Sequence, residues 1–380
     1  VRNIHYGDIL TKFPEILDCE EAEIPYINDL SLLTSSAQLL QDGDIVIADT
    51  AEDETVGKVT EVINLGTGKL VAGLHTIPCR VKKGDFVPGW LGYYMNSHMY
   101  HNQIIPFITG IKVASISKST IANTWIVIPP RDEQKRIVEI LSQIDLLIQK
   151  EQEVTDKITA VKKGCLSKMF PIEGENIPEM RFPGFEEEWE KYKFEDLYKV
   201  TSGYAFKYED YCDKGISLIN GEAIQHGKIE GSNINYLPEA FLKEYNNFLL
   251  KENDIVLGLN RPITNGNLKI SKISRKFNDS LLYQRAGKVN YRINIDVDFT
   301  FVLLSQEILK HTIKEAVGSD QPFISTTKLD KWKMLLPREE EEQKAIGEYF
   351  ANLDHLIILH QQKCEKYKKI KSGLISMLIR

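Results

Sequence analysis

The stretch from Pro129 to Phe170, PPRDEQKRIVEILSQIDLLIQKEQEVTDKITAVKKGCLSKMF, decides the architecture. After its proline pair it carries neither proline nor glycine until Gly164. Apolar residues return at Ile137, Leu141, Ile144, Ile148, Ile158, Val161 and Cys165, close to heptad spacing. That pattern predicts a long amphipathic helix with one packing seam. Pro130 suits the helix entrance, and Asp132 and Glu133 sit where the positive end of the helix dipole favours carboxylates.

The same stretch returns between Leu336 and Arg380, LPREEEEQKAIGEYFANLDHLIILHQQKCEKYKKIKSGLISMLIR. Gln134-Lys135 matches Gln343-Lys344, Asp145 matches Asp354, and Lys162-x-Gly164 matches Lys371-x-Gly373, all in one register. The second copy has two extra residues in its acidic entrance. Its seam is expected at Ile346, Phe350, Leu353, Ile357, Tyr367 and Leu374. Two unrelated helices would share a period but not these polar offsets, so the chain contains an internal repeat.

The chain divides along that repeat. Residues 1–128 and 185–335 are short strand-like runs broken by turn signals, for example Asp44-Ile-Val-Ile-Ala48 and Lys69-Leu-Val-Ala-Gly73. Gly43-Asp-Ile-Val46 is echoed by Asn253-Asp-Ile-Val256, and the run Ser217 to Glu222 answers Val1 to Asp8. Trp125 and Trp332 precede the two helix starts and are expected to pack at the junction of globule and helix. Residues 129–170 and 336–380 form the long helices, and 171–184 (PIEGENIPEMRFPG) reads as an extended linker. The first block lacks a counterpart of the thirty or so residues from Phe185 to Gly215. It is expected to be shortened, as a cut-back sequence, an incomplete gene product or a naturally reduced copy.

With 380 residues the chain is long enough for two or three domains with real cores. No apolar run approaches a membrane span and no signal peptide is visible. Cys19, Cys79, Cys165, Cys212 and Cys364 are scattered and form no CxxC, which fits reduced thiols in a cytoplasmic protein. The net charge of −7 does not by itself advertise nucleic-acid binding, so local clusters must carry that case.

Catalytic signatures are lacking. Leu65-Gly-Thr-Gly-Lys69 fails as a phosphate loop, because Ile63 stands where its first glycine belongs and Leu70 where Ser or Thr belongs. Pro129-Pro130 is followed by arginine at a helix start, unlike a methyltransferase loop. His98 and His101 share a helix face without further ligands, so no metal is expected. No nucleophile with a partnered base stands out.

Binding residues are clearer. Arg261, Lys269, Lys272, Arg275, Lys276, Arg285, Lys288 and Arg292 face a single acid in their own stretch, Asp279. Asn260, Asn265, Asn267, Tyr283 and Gln284 are interleaved with them. Lysine and arginine neutralise phosphates, while Arg, Asn and Gln read base edges bidentately. A smaller counterpart in the first block spans Lys69, His75, Thr76, Arg80, Lys82 and Lys83. An ordinary solvated strand-and-loop surface is the competing explanation of both patches. Lys363, Lys366, Lys368, Lys369 and Lys371 are most simply the wet face of the second helix.

The order of globule, helix starting PPRDEQKRI, linker IPEMRFPGFEEEWE, globule and helix starting LPREEEEQKAI resembles the specificity subunit of type I restriction–modification systems. The run Ala72-Gly-Leu-His-Thr-Ile77 adds to the resemblance, and the short first block departs from it. The resemblance implies an α+β fold: two mixed α/β target recognition domains separated by two long antiparallel coiled-coil helices, related by a pseudo-twofold internal repeat. Each domain would read half of a bipartite site in double-stranded DNA, and the chain itself would be non-catalytic and without a cofactor. Implied partners are modification subunits, two in number, that use S-adenosylmethionine, and restriction subunits that use ATP and Mg; no membrane is implied. A non-DNA coiled-coil scaffold, which the acidic charge favours, and a fragment of a fused restriction–methylation enzyme are the alternatives.

Overall fold

A computed structural model describes residues 1–29, 31, 33, 38–110, 112–315 and 322–379; Arg380, expected at the end of the second helix, lies outside them. Two compact units emerge, Val1–Val154 with His360–Arg380, and Thr155–Leu359. The long helices, Arg131–Lys168 and Glu340–Leu378, each contribute to both.

In the first unit the strand Ile45–Ala48 is buried along its whole length, as its β-branched run requires of a central strand. It pairs antiparallel with Val59–Ile63 and with Thr76–Cys79, and Ile16–Asp18 completes the four-stranded sheet. Arg2–Ile4 runs parallel to Leu70–Ala72, and Thr50–Ala51 pairs with Ala114–Ser115. The helix Trp90–Met95 is buried all round. Its first turn donates the Gly89 and Gly92 N–H groups to the Glu61 carboxylate at 2.7 and 2.8 Å. Burial raises the Glu61 pKa above the usual carboxylate range, against the pull of these N–H groups. Ile137 and Leu141 close this core together with Ile375 and Ile379.

The second unit has two four-stranded sheets. One runs Tyr198–Ser202, Ala286–Tyr291, Ile255–Gly258, Ile270–Lys272; the other runs Asn235–Leu237, Ile216–Ile219, Ser280–Leu282, Leu249–Leu250. The helix Val297–Glu315 packs Phe299 into an aromatic core with Phe170, Trp189 and Phe350. Such rings supply much of the core's apolar area and pair edge-to-face or offset.

Within each unit the helix segments contact each other in opposite chain directions. In the first unit Asp145 meets Lys371 and Glu151 meets His360; in the second, Lys162 meets Asp354 and Cys165 meets Tyr349. Ile137, Leu141, Ile346 and Phe350 are buried, while Ile144, Ile148, Ile158, Leu353, Ile357, Tyr367 and Leu374 are half-buried. Val161, expected in the seam, is 51% exposed, because Lys162 takes the inward position to reach Asp354.

Two further expectations are overturned. Lys371 does not lie on a wet face: it is 8% exposed and bonds to both Glu15 and Asp145. Trp125 does not pack at a junction but is 81% exposed, its backbone N–H and C=O both bonded to the Gln103 carboxamide. Trp332 is half-buried, stacked on His311, and followed by the strand Lys333–Leu336, which pairs with Glu190–Lys193. The corresponding Ile126, Val127 and Ile128 have no such strand partner among the described residues. Residues 171–184, expected as an extended linker, carry no helix or strand and are tied down by side-chain and backbone contacts. Arg181 is clamped to the buried Glu342, Met180 N–H bonds to Lys168 C=O, and Phe182 packs on Tyr349.

Candidate nucleic-acid interface

The expected basic stretch of the second unit is sorted by the fold into neutralised and free cations. Lys272 is ion-paired with Asp298 and lies 5.7 Å from the Phe301 ring; Lys288 is paired with Asp254. These acids lie outside the linear window but beside it in space, so Lys272 and Lys288 do not present free charge, contrary to expectation. Asp279, the acid within the window, is occupied by Lys251.

Arg261, Lys269 and Arg285 have no ion pair among the described residues and line one cavity of about 930 Å³. Asn220, Asn260, Gln284, Tyr283 and Phe323 line it too, with Glu222 the sole acid among the described residues. Four connections converge here. Arg261 adopts a left-handed φ of 46° and its N–H bonds to Pro322 C=O at 3.0 Å. Arg285 C=O accepts Leu259 N–H at 3.1 Å, and Lys269 N–H bonds to Pro262 C=O at 2.7 Å. Gly221 permits the closest approach, since a Cβ there would sit 2.8 Å from Arg285 C=O. Guanidinium, ammonium, carboxamide and aromatic groups on one concave wall can bind phosphate oxygens and base edges together.

Asn265 is absent from that wall. It occupies the tip of the hairpin joining Ile263–Thr264 to Asn267–Leu268, where Asn265 and Gly266 both take positive φ. Arg275 lies on the 3-10 turn Arg275–Phe277, and Lys276 sits 5.1 Å from the Phe277 ring; neither lines the cavity. In the first unit Arg80 is held by Asp44 through two bonds of 2.7 and 2.6 Å. His75 sits beside Asp49 and Thr50, while Lys69, Lys82 and Lys83 are exposed. Sequence reasoning did not single out Asn220, Gly221, Glu222 or Phe323 as binding residues. The echo between Ser217–Glu222 and Val1–Asp8 was the available signal for the first three.

Residues 3–160 and 186–369 each match the type I restriction modification DNA specificity domain. The chain belongs to this family. Each match takes in one strand-rich globule and most of one long helix. This family member is 34% identical over 275 residues to the type I restriction enzyme MjaVIII specificity subunit of Methanocaldococcus jannaschii, covering 71% of this chain and 64% of that protein. The chain thus spans just under two thirds of that relative's length. It is 26% identical over 389 residues to the putative MjaX specificity subunit of the same organism, covering 98% and 86%. The crystal structure of a type I restriction–modification S subunit from M. genitalium superposes with a TM-score of 0.58 at 13% identity, over 97% of this chain and 88% of that one, a likeness of mixed α/β, two-domain fold. Among the described residues no helix is long and apolar enough to cross a membrane, and no group of three His, Cys, Asp or Glu is placed to hold a metal ion.

Proposed function

We propose that the chain is the DNA-reading subunit of a type I restriction–modification complex, with each globule reading one half of a bipartite duplex site. The observation that carries this is the convergence of Arg261, Lys269 and Arg285, unpaired among the described residues, with carboxamides and aromatic rings on one cavity, in a member of this family. Residues 1–128 and 185–335 are the two recognition domains in this reading. The helices in 129–170 and 336–380 are an antiparallel coiled-coil spacer, and the two copies are related by a pseudo-twofold axis. Crosswise pairing of repeat-matched residues, Lys162 with Asp354 and Lys371 with Asp145, favours that symmetry. Lys69, Lys82, Lys83, Arg275 and Lys276 are assigned to phosphates, and Asn265 to a groove contact from its hairpin tip. The chain is taken as non-catalytic and cytoplasmic. Adenine methylation with S-adenosylmethionine, and ATP- and Mg-dependent translocation and cleavage, belong in this reading to two modification subunits and to restriction subunits.

Selection of bound duplexes from a random pool, with this chain in complex with its modification subunit, tests the proposal. Two short blocks at fixed spacing are expected; absence of any enrichment would refute it. Arg261→Ala or Arg285→Ala should weaken binding by about 1–3 kcal/mol and relax one base position of one block. Equal loss on all sequences, with a flatter salt dependence, would reassign the residue to a phosphate.

The helices also make a spacing prediction. Thirty-eight residues span about 57 Å at a rise of roughly 1.5 Å each. Inserting four residues lengthens the helix by about 6 Å, close to two base-pair steps of about 3.4 Å. The preferred gap between the two blocks should widen accordingly; an unchanged gap in the selected pool would end the spacer assignment.

A further inference from the structure

The two units share more than a strand pattern. In the second, Gly258 pairs with Ala286 and Ile219 with Leu282, leaving a three-residue connector, Tyr283, Gln284 and Arg285. In the first, Ala48 pairs with Thr76 and Ile4 with Ala72, leaving a connector of the same length, Gly73, Leu74 and His75. The backbone bonds around the connectors also coincide. Tyr283 N–H to Ile219 C=O is 2.9 Å and Gly73 N–H to Ile4 C=O is 2.8 Å. Leu259 N–H to Arg285 C=O is 3.1 Å, as is Asp49 N–H to His75 C=O. Ile324 N–H to Leu259 C=O is 2.8 Å and Ile116 N–H to Asp49 C=O is 2.9 Å.

These registers place His75 where the second unit has Arg285, Leu74 where it has Gln284, Thr50 where it has Asn260, and His5 where it has Asn220. Ser115, which pairs with Thr50, stands where Phe323 bridges Asn260. The side chains meet accordingly. His75 Nδ1 lies 3.4 Å from Thr50 Oγ1 and 3.5 Å from the Asp49 carboxylate, and its ring is 5.4 Å from Tyr6, which adjoins the His5 ring at 4.5 Å. His75 holds a left-handed φ of 56°, and Leu74 beside it is 71% exposed.

We infer that the first unit reads its half of the duplex through His5, Tyr6, Thr50, Leu74 and His75, the register counterparts of the arginine-lined cavity, and not through the linear basic stretch from Lys69 to Lys83. The inference rests on the DNA-reading proposal. It makes the two half-sites chemically different. The second unit offers two guanidinium groups, the side chains best matched to guanine O6 and N7. The first offers imidazole, hydroxyl and an aliphatic surface suited to single hydrogen bonds and a thymine methyl, with Arg80 withheld by Asp44. Lys82 and Lys83 then contribute charge without sequence preference.

The test is selection from a random duplex pool by the whole chain in its complex, comparing parent with His75→Arg, Thr50→Ala, Arg285→Ala and Lys82→Ala/Lys83→Ala. His75→Arg installs the second unit's residue at the matching position. It should shift one position of one block towards guanine by about tenfold, the discrimination of a bidentate arginine. Thr50→Ala should relax the same block, Arg285→Ala only the other, and the lysine variant should weaken all sequences alike. Retention of the block that a variant is not expected to alter reports in each case that the molecule is folded. A parent that selects two blocks while His75→Arg and Thr50→Ala leave both unaltered, or alter the block that Arg285→Ala alters, overturns the inference and leaves DNA reading intact. A parent that selects nothing removes DNA reading and the inference together.

Discussion

Glu342→Ala is expected to destabilise the second unit by about 3–5 kcal/mol, the range for breaking a buried ion pair from one side. Both Glu342 oxygens are engaged by Arg181, Nε at 2.6 Å and Nη2 at 2.7 Å, and Trp189 Nε1 lies 3.4 Å from one of them. Glu342 is 0% exposed, so alanine would leave a guanidinium uncompensated inside the protein. The neighbouring Glu340 and Glu341 are exposed, and alanine there should change stability by no more than about 0.5 kcal/mol. Urea titrations monitored by circular dichroism separate the cases. A loss below about 1 kcal/mol for Glu342→Ala would mean that the clamp is not formed in solution. The double change Arg181→Met with Glu342→Leu should recover much of the loss, because replacing a buried pair with apolar groups of similar volume is often neutral.

This clamp marks where reading the sequence succeeds and where it stops. The long helices were legible because thirty-eight residues without an internal proline, periodic in apolar side chains, leave the backbone few options. The repeated glutamine was legible as a pattern but not as a contact: Gln134 Nε2 bonds to Pro129 C=O and Gln343 Nε2 to Pro337 C=O, holding the chain at each helix entrance. Glu342 reads in sequence as one more solvated charge in an acidic run, since its partner lies 161 residues away. Lys272 and Lys288 looked free because Asp298 and Asp254 reach them across the fold and not along the chain. The cavity was legible only in part, through the linear stretch that holds Asn260, Arg261, Lys269, Tyr283, Gln284 and Arg285. It gathers Asn220, Arg261, Arg285 and Phe323 from four separate connections, and only strand register shows that they are neighbours. Trp125 and Trp332 stand at matching positions in the sequence yet differ in burial: the Trp332 ring is stacked on His311 and its indole N–H bonds to Glu307, whereas the Trp125 ring is exposed.

Lys371→Ala should be as severe in the first unit, about 3–5 kcal/mol at neutral pH. The Lys371 ammonium lies 2.7 Å from Glu15 and 2.6 Å from Asp145, and 5.2 Å from the centre of the Tyr93 ring. Its removal leaves two carboxylates facing each other in a site where Lys58, the other nearby cation, is held by Leu10 C=O. The pH dependence has a definite sign. Burial already raises the Asp145 pKa, while Lys371 and hydrogen bonds from Lys371 and Tyr93 pull it down; losing Lys371 raises it further. A carboxyl whose folded pKa is raised takes up its proton more readily in the folded state than in the unfolded one. Stability is therefore gained as pH falls through the folded value, down to the unfolded value of about 3.9. The penalty of Lys371→Ala should consequently be greatest near neutrality and shrink towards pH ~4 in urea titrations run across that range. A penalty that grows on acidification would mean that the facing carboxylates of Glu15 and Asp145 do not dominate the site. The repeat-matched Lys162→Ala supplies the comparison. Its ammonium is paired with one acid, Asp354, so its loss leaves no facing pair of carboxylates and the cost should stay near 1 kcal/mol. Two lysines at one repeat position thus differ in what they hold together: Lys371 joins a helix to two acids of its globule and its neighbouring helix, whereas Lys162 joins helix to helix alone.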